Sequence, residues 1–289
     1  MDEKGILQEI ELPCSDFDML YDKIFIPKAI KTRLISQIIL EFTVRNKVHV
    51  QEIPLHGIIL LQGPPGTGKT SLAKGIASKA AAILKGKKIS FIEAEPHSLT
   101  SSALGRSQKA VHSFLNDIIS ERANQGPLIV LLDEVETLAA NRLKMSMEAN
   151  PIDVHRATDA LLAGLDLLSS KHKNLLFIAT TNFEKAVDPA FLSRADLIEY
   201  IGNPNKEACF EILKDTIIIL SNHWPKVKNI IHEKDFKRLA DSLYGFDGRS
   251  IRKLVLYACT FEKEVALDIN KLKLKHIKQA IKLAKEKKI

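Results

Sequence analysis

Short apolar runs alternate with longer amphipathic stretches between about residues 57 and 180. A run of about five apolar residues closed by glycine or polar residues is typical of a buried strand in a parallel sheet. Four runs have this form, at residues 57–62, 89–93, 128–132 and 175–180. Helical stretches separate them, from 69 to about 84, over 108–123 and over 153–168. This alternation predicts a three-layer α/β sheet.

The pattern differs at the two ends of the chain. Residues 1–50 are expected to form a leader and a helix with Ile30, Leu34 and Ile38 on one face. After Gly202-Asn203-Pro204 the strand signals stop, and from Lys206 onward the spacing predicts helices. We therefore expect an α/β domain over 51–204 and a small all-helical domain over 205–289.

Composition indicates a soluble globular protein, since 45% of the 289 residues are hydrophobic and the mean hydropathy is −0.03. No apolar run has the length needed to span a bilayer, and the N-terminus lacks the features of a signal peptide. These observations predict a cytoplasmic protein without a membrane partner. Cys14, Cys209 and Cys259 are far apart, which favours reduced thiols over a zinc site or a disulfide framework.

The chain is mildly basic, with 42 Lys and Arg against 35 Asp and Glu, a net charge of +7. Nucleic acid, nucleotide phosphates or an acidic protein partner would each account for this excess. Much of it lies in the last helix, where Ile277, Ala280, Ile281 and Ala284 mark an apolar face. Its lysines lie mostly on the other face. This pattern favours a solvated outer surface, and a binding surface is the alternative.

Residues 63–70, Gly-Pro-Pro-Gly-Thr-Gly-Lys-Thr, match the pattern G-x-x-x-x-G-K-[ST] in full, between a predicted strand and a predicted helix. Such glycines let backbone N–H groups surround phosphate oxygens, and the helix directs its positive end at the same anion. We expect Lys69 to contact the β- and γ-phosphates and the Thr70 hydroxyl to ligate Mg²⁺. The expected nucleotide-binding residues here are Pro64, Pro65, Gly66, Thr67, Gly68, Lys69, Thr70 and Ser71. A glycine turn without a ligand is the alternative, which the lysine, the threonine and the flanking elements disfavour.

Two further predicted strands end in polar residues. Asp133 and Glu134 follow the run 128–132, and carboxylates at the end of a buried strand require a cation or solvent. Asp133 fits a magnesium partner, and Glu134 fits the group that polarises the attacking water. Asn182, after the run 175–180, is suited to hold that water against the γ-phosphate. The alternatives are solvated carboxylates and a turn asparagine that caps its strand.

The order of these motifs resembles that of AAA+ ATPases, from about Tyr21 to the end of the chain. Shorter strings are similar to the HORMA-remodelling ATPases, the pachytene-checkpoint group and its bacterial relatives. They are Tyr21-Asp22, Pro96-His97-Ser98-Leu99, Leu132-Asp133-Glu134-Val135-Glu136-Thr137-Leu138, and Ser193-Arg194-Ala195-Asp196 with Tyr200-Ile201-Gly202. The absence of a long N-terminal adaptor region favours a short bacterial member.

The resemblance implies roles for residues that are uninformative alone. Arg194 would be the finger that reaches a neighbour's ATP, and Arg249 the lid sensor of the same subunit's nucleotide. Without the resemblance, each arginine could instead form a surface ion pair. Ile24, Phe25 and Ile26 would border the adenine, so that the leader from about residue 21 contributes to the nucleotide pocket. The family forms homohexameric rings that pull protein through a central pore.

The expected pore loop, Ala103-Leu104-Gly105-Arg106, departs from the family pattern because no aromatic residue precedes its glycine. A weaker hydrophobic contact puts robust processive translocation in doubt or suits an undemanding substrate. Arg106 would help to hold an acidic segment.

The resulting hypothesis is an ATP-hydrolysing, magnesium-dependent ring that disassembles a HORMA-domain protein complex and thereby regulates a bacterial antiphage signalling system. One alternative is a nucleic-acid motor or helicase loader, which the basic charge permits. Against it, the sequence has no zinc motif, helix-turn-helix signature or aromatic stacking platform. The other alternative is a nucleotide-gated scaffold with little turnover, which an intact Glu134 disfavours.

Overall fold

The structure, a computed structural model, describes residues 5–48, 52–84, 88–99, 106–140 and 151–286. It divides into two compact units. The first contains the described parts of Met1–Asp22, Pro27–Gly63 and Lys69–Ile201. The second contains Lys23–Ile26, Pro64–Gly68 and the described part of Gly202–Ile289. Among the described residues, no helix combines the length and apolar character needed to cross a membrane.

A single mixed sheet forms the centre of the first unit. Its strands, in the described residues, are β1 (Ile6–Leu12), β2 (Ile58–Gln62), β3 (Ile89–Ala94), β4 (Leu128–Leu132), β5 (Leu175–Thr181) and β6 (Leu197–Tyr200). Their order in the sheet is β1-β3-β4-β5-β2-β6, and only β1 runs antiparallel to its neighbour. Because β4, β5 and β2 are adjacent and parallel, the residues that follow them lie at one edge of the sheet.

Helices cover the sheet on both faces because alternate strand residues point in opposite directions. The helices of this unit are α1 (Ser15–Asp22), α2 (Lys28–Val44), α3 (Lys69–Ile83), α4 (Pro96–Leu99), α5 (Arg106–Ser113), α6 (Ser120–Gln125), α7 (Pro151–Lys171) and α8 (Pro189–Leu192). Phe91 of β3 packs edge-on against Phe17 of α1, with ring centroids 5.0 Å apart. Its neighbour Ile92 belongs to the core on the other face, together with Phe114 and Leu165. This arrangement confirms the predicted three-layer α/β fold.

Two strands were not predicted by the sequence pattern. β1 lies in the segment for which we expected only a leader and a helix, and β6 precedes the helical region. Both are edge strands of the sheet, and of the seven residues of β1 only Leu12 is buried. An edge strand with one buried residue lacks the continuous apolar run on which the prediction depended. A π-helical turn, Phe114–Ile119, also joins α5 to α6 within the predicted helix.

The second unit is helical in all of its described elements from residue 206 onward, as predicted. These helices are α9 (Lys206–Ser221), α10 (Phe236–Asp241), α11 (Gly248–Ala258), α12 (Lys263–Leu267) and α13 (Leu274–Glu286). They enclose a core of their own, in which Ile212 of α9, Val255 of α11 and Ile277 of α13 are buried. The apolar face predicted for the last helix is buried in this core.

Candidate active site

The carboxyl ends of β4, β5 and β2 bring polar side chains together in the first unit. Asp133 and Glu134 follow β4, Asn182 follows β5, and Lys69 and Thr70 begin α3. Leu132 lies opposite Ala179 of β5, and Thr181 lies opposite Gln62 of β2. This register aligns the three strand ends, so that residues more than 100 positions apart in the chain are in contact.

Lys69 is 5% exposed, and its ammonium group is held by oxygen atoms. Its Nζ donates to the backbone oxygen of Gly63 over 2.9 Å and to Oδ1 of Asn182 over 2.7 Å. A buried charge requires such partners, because desolvation without them would disfavour the charged form. Both of these hydrogen-bond partners are thus oxygens at the carboxyl ends of strands, those of Gly63 and Asn182.

Thr70 and Asp133 place two side-chain oxygens next to each other. The Thr70 hydroxyl donates to Oδ1 of Asp133 over 2.8 Å, and the Thr180 hydroxyl donates to the same oxygen. Mg²⁺ is usually held by one or two protein oxygens, with phosphate oxygens and water completing its coordination. The pair fits that requirement, and the described residues contain no larger group of His, Cys, Asp and Glu suited to another metal.

Glu134 adopts a left-handed backbone conformation, with φ of 50° and ψ of 54°. This conformation is uncommon for a residue other than glycine and is characteristic of functional sites. The Glu134 side chain is exposed, and its Oε1 accepts a hydrogen bond of 3.0 Å from the side-chain amide of Asn182. Lys69, Asn182 and Glu134 thus form one continuous hydrogen-bonded chain.

The phosphate-loop residues Pro64–Gly68 are grouped with the helical unit. Gly66 and Gly68 have φ of 80° and 91°, which favours glycine at both positions. A Cβ atom on Gly66 would also collide with the Asp247 carboxylate, which caps α11 by accepting the backbone N–H of Ser250. The backbone N–H of Arg249 donates to the Gly66 oxygen over 3.2 Å, and its side chain is exposed. The first turn of α11 therefore lies against the loop.

Residues 23–26 belong to the same unit as the loop. Ile24 lies against Gly68, since a Cβ atom there would be 2.6 Å from Cδ1 of Ile24. Phe25 packs on the helical core, and the Arg252 guanidinium donates to the backbone oxygen of Lys23 over 3.4 Å. Apolar contacts and this hydrogen bond thereby position the segment beside Gly68.

Arg194 is bound elsewhere in the first unit. Its Nε and Nη2 donate to the two carboxylate oxygens of Asp166 on α7, each over 2.7 Å, and its Nη1 donates to the Ala190 oxygen. The hydrogen bonds from Arg194 lower the pKa of the Asp166 carboxyl. Two residues further along, the Asp196 carboxylate accepts hydrogen bonds from the backbone N–H groups of His56 and Ile58 at the start of β2.

The sequence did not predict three residues that form hydrogen bonds with Asp133, Asn182 and Arg194. Thr180 lies within an apolar strand, and Asp166 is 28 positions from the arginine that it binds. Glu136 accepts the backbone N–H of Asn182 over 3.1 Å. The pore-loop residues Ala103, Leu104 and Gly105 lie outside the described residues, and so does the side chain of Arg106 at the start of α5.

Comparison with known proteins identifies the family. Residues 59–203 match the model of the "ATPase family associated with various cellular activities (AAA)". The chain is 49% identical to CD-NTase-associated protein 6 of Pseudomonas aeruginosa over 283 residues, 98% of this chain and 93% of that protein. It is 30% identical to the putative pachytene checkpoint protein 2 of Caenorhabditis elegans over 89% of its own length, and spans 66% of that longer protein.

A solved structure shares the fold. The match is to a chain of the E. coli MS115-1 HORMA:CdnC:Trip13 complex, with a TM-score of 0.72 and 19% identity over 96% of this chain and 95% of that chain. Together with the phosphate loop and the Asp-Glu pair, these matches show that the chain belongs to the AAA family of ATPases, in the group of pachytene checkpoint protein 2 and its bacterial relatives.

Proposed function

We propose that this protein hydrolyses ATP with Mg²⁺ in a homohexameric ring and uses that hydrolysis to disassemble a HORMA-domain complex in bacterial antiphage signalling. The observation that carries the proposal is 49% identity with CD-NTase-associated protein 6 over nearly the whole of both chains. The fold shared with a chain of a HORMA:CdnC:Trip13 complex supports a client of the HORMA type.

The phosphate contacts are assigned from the sequence motif of residues 63–70. Backbone N–H groups of Gly66, Thr67 and Gly68 and of the first turn of α3 bind the β- and γ-phosphates, and Lys69 neutralises part of their charge. Ile24–Ile26 border the adenine, and Arg249 acts from the first turn of α11 as the sensor of the bound nucleotide. Thr70 and Asp133 hold Mg²⁺, which supplies neutralisation of the developing phosphate charge when it is bound.

Glu134 acts as the general base. Its carboxylate accepts a proton from the attacking water while the water oxygen bonds to the γ-phosphorus and the bond to the ADP oxygen breaks. In the structure, the Asn182 amide binds Glu134 and Lys69 simultaneously, over 3.0 Å and 2.7 Å. Nucleotide phosphates compete for Lys69, which frees the Asn182 oxygen to orient the water. The Asn182 nitrogen can continue to donate to Glu134 during this exchange.

Arg194 acts on the nucleotide of a neighbouring subunit. In the single chain its guanidinium binds the Asp166 carboxylate in a bidentate manner. A phosphate group offers the same two-oxygen geometry, so the arginine can exchange one partner for the other. The client is drawn into the pore against Ala103–Arg106, the segment that the sequence assigns to this role.

The test uses a fluorescently labelled HORMA protein bound to its partner, the enzyme and ATP. We expect the parent protein to release the labelled HORMA protein from its partner while it produces phosphate. Glu134→Gln should bind ATP and the HORMA complex but leave that complex intact. Glu184→Gln, at an exposed position near Asn182, serves as the matched control and should behave as the parent does. ATP turnover without release of any HORMA protein would contradict the client assignment. Turnover that is stimulated by DNA or RNA instead would support the nucleic-acid alternative.

A further inference from the structure

Glu136 connects the end of β4 to the end of β5. It lies in the 3-10 turn Val135–Thr137, directly after the Asp133–Glu134 pair, and its Oε1 accepts the backbone N–H of Asn182 over 3.1 Å. β5 ends at Thr181, so this N–H group lies just beyond the strand. The other carboxylate oxygen of Glu136 is buried and has no hydrogen-bond partner among the described residues.

The Asn182 side chain is held by two groups that ATP hydrolysis would engage. Its Oδ1 accepts from Lys69, for which nucleotide phosphates compete, and its Nδ2 donates to Glu134, for which the attacking water competes. Neither ligand competes for the backbone N–H that Glu136 holds. The contact with Glu136 therefore persists when both side-chain contacts of Asn182 are exchanged.

We propose that Glu136 is a positioning residue for ATP hydrolysis, which holds the backbone of Asn182 so that the Asn182 amide stays beside Glu134. The inference rests on the proposed roles of Asn182 and Glu134. A hydrogen bond to an ionised acceptor is about twice as strong as one between neutral groups, which suits an anchor between two strand ends. Because Glu136 contacts Asn182 rather than the nucleotide, its removal should change kcat and leave nucleotide affinity nearly unchanged.

Three substitutions separate the acceptor from the charge. Glu136→Ala removes both, Glu136→Gln keeps an oxygen in the place of Oε1, and Glu136→Asp keeps the charge on a side chain one methylene shorter. We expect Glu136→Ala and Glu136→Asp to lower kcat about tenfold or more, the effect of losing one hydrogen bond to a charged group. Glu136→Gln should retain most of the parent kcat.

The measurements are kcat and KM for ATP hydrolysis, the Kd of a fluorescent ADP analogue and the melting temperature of the full-length protein. All variants should bind the analogue within about twofold of the parent, since the phosphate contacts are intact. Glu184→Ala is the control, because Glu184 is exposed and lies two residues after Asn182. If Glu136→Ala fails to fold, Glu136→Asp decides the result.

A double variant tests whether Glu136 acts through Asn182. In an Asn182→Ala background the side-chain amide is absent, so Glu136→Asp should cause no further loss of kcat. A full further loss there, or a parent-like kcat in Glu136→Asp alone, would overturn the proposal, and so would a Glu136→Gln variant as slow as Glu136→Asp. An unchanged kcat in Asn182→Ala alone would contradict the proposed role of Asn182 itself, and the role of Glu136 with it.

Discussion

The ammonium group of Lys69 is buried and depends on oxygen atoms from two strand ends, those of Gly63 and Asn182. Phosphate oxygens can replace the Asn182 oxygen at little cost, because the lysine is already desolvated and oriented. Within the loop and the first turn of α3, residues 63–71, Lys69 is also the only basic side chain. Nucleotide binding should therefore depend on this side chain more than on any other in the loop.

We predict that Lys69→Ala abolishes ATP binding, since the phosphates lose a charge-assisted contact inside a closed loop. Isothermal titration calorimetry measures the affinity. Lys79→Ala, on the same helix, is the control, because Lys79 forms a partly exposed ion pair with Asp18 and should bind ATP as the parent does. Normal affinity in Lys69→Ala would show that the phosphates bind elsewhere.

A second prediction concerns the base. Glu134→Gln should bind ATP normally and hydrolyse it at least about 100-fold more slowly, the scale of losing a general base. The glutamine oxygen can still accept the Asn182 amide hydrogen, so the fold of the strand end is retained. Phosphate release under single-turnover conditions checks the rate. A rate equal to that of the parent would exclude Glu134 as the base.

The sequence predicts a residue well when its role follows from its place in a local pattern. Asp133 and Asn182 each follow an apolar run, and the adjacency of parallel strand ends brings them together. Asp166 and Glu136 have no such pattern. Their partners, Arg194 and the Asn182 backbone, are set by the packing of α7 and by the course of the turn after β4. Neither contact can be inferred from spacing.

At the scale of elements, helix α2 is fixed to the sheet by a buried pair. Glu41 is 1% exposed and Arg45 is 4% exposed. Arg45 directs its guanidinium to the backbone oxygens of Ser169, His172 and Leu175. Its Nε lies 4.0 Å from Glu41 Oε2, which has no hydrogen-bond partner among the described residues. The arginine therefore stabilises the end of α7 and the start of β5 more than it stabilises the glutamate.

The burial of Glu41 makes the free energy of unfolding depend on pH. Burial raises the pKa of Glu41 from 4.5 to about 7, with Asp196 adding to the rise, while Gln37 and Arg45 oppose it. The folded protein therefore holds a proton that the unfolded chain releases near 4.5. We predict that the free energy of unfolding falls by up to about 3 kcal/mol as pH rises from about 5 to above 7.

Urea unfolding of the parent and of Glu41→Gln over that pH range measures the contribution. Glu41→Gln should lose this part of the slope, because its amide does not titrate. Glu121→Gln, at an exposed position on α6, should keep it. An identical slope in the parent and in Glu41→Gln would assign the pH dependence to other groups.

Elements with continuous buried runs were predictable, and those at the sheet edges were not. β4 is buried along its whole length, and its bounds match the predicted run. β1 exposes Leu7, Gln8 and Glu9 and gains its place by pairing with β3. Its stability comes from hydrogen bonds to a neighbour distant in sequence, which a local pattern does not record.

At the scale of the molecule, each unit has a core of its own, and the change from strands to helices after Pro204 was visible in the sequence. The membership of residues 23–26 and Pro64–Gly68 in the helical unit was not visible. Both segments are short, and their contacts define the unit to which they belong. Gly66 lies against Asp247, Phe25 packs on the helical core, and Lys23 accepts a hydrogen bond from Arg252. The helical unit is thus built from segments far apart in sequence.

The proposed ring predicts that an active site is shared between subunits. Arg194→Ala should bind nucleotide normally and lose about 10³-fold or more in turnover, as expected for an arginine finger. Arg194→Lys should not restore it, because an ammonium group lacks the two-point geometry that the guanidinium shows towards Asp166. Turnover and ADP affinity of the two variants measure this. Parent-like turnover in Arg194→Ala would remove the finger assignment.

Mixing Arg194→Ala with Glu134→Gln subunits decides whether the arginine acts in trans. Each variant lacks one of the two groups, so action within a single subunit predicts no activity at any ratio. In a head-to-tail ring, a site whose base comes from an Arg194→Ala subunit can receive its finger from a neighbouring Glu134→Gln subunit. For random 1:1 mixing of independent sites, about one interface in four combines both intact groups, so turnover should recover to about a quarter of the parent rate. Subunit exchange, followed by fluorescence transfer between labelled variants, establishes that mixed rings form. Mixed rings without recovery would place the role of Arg194 within its own subunit, where Asp166 holds it.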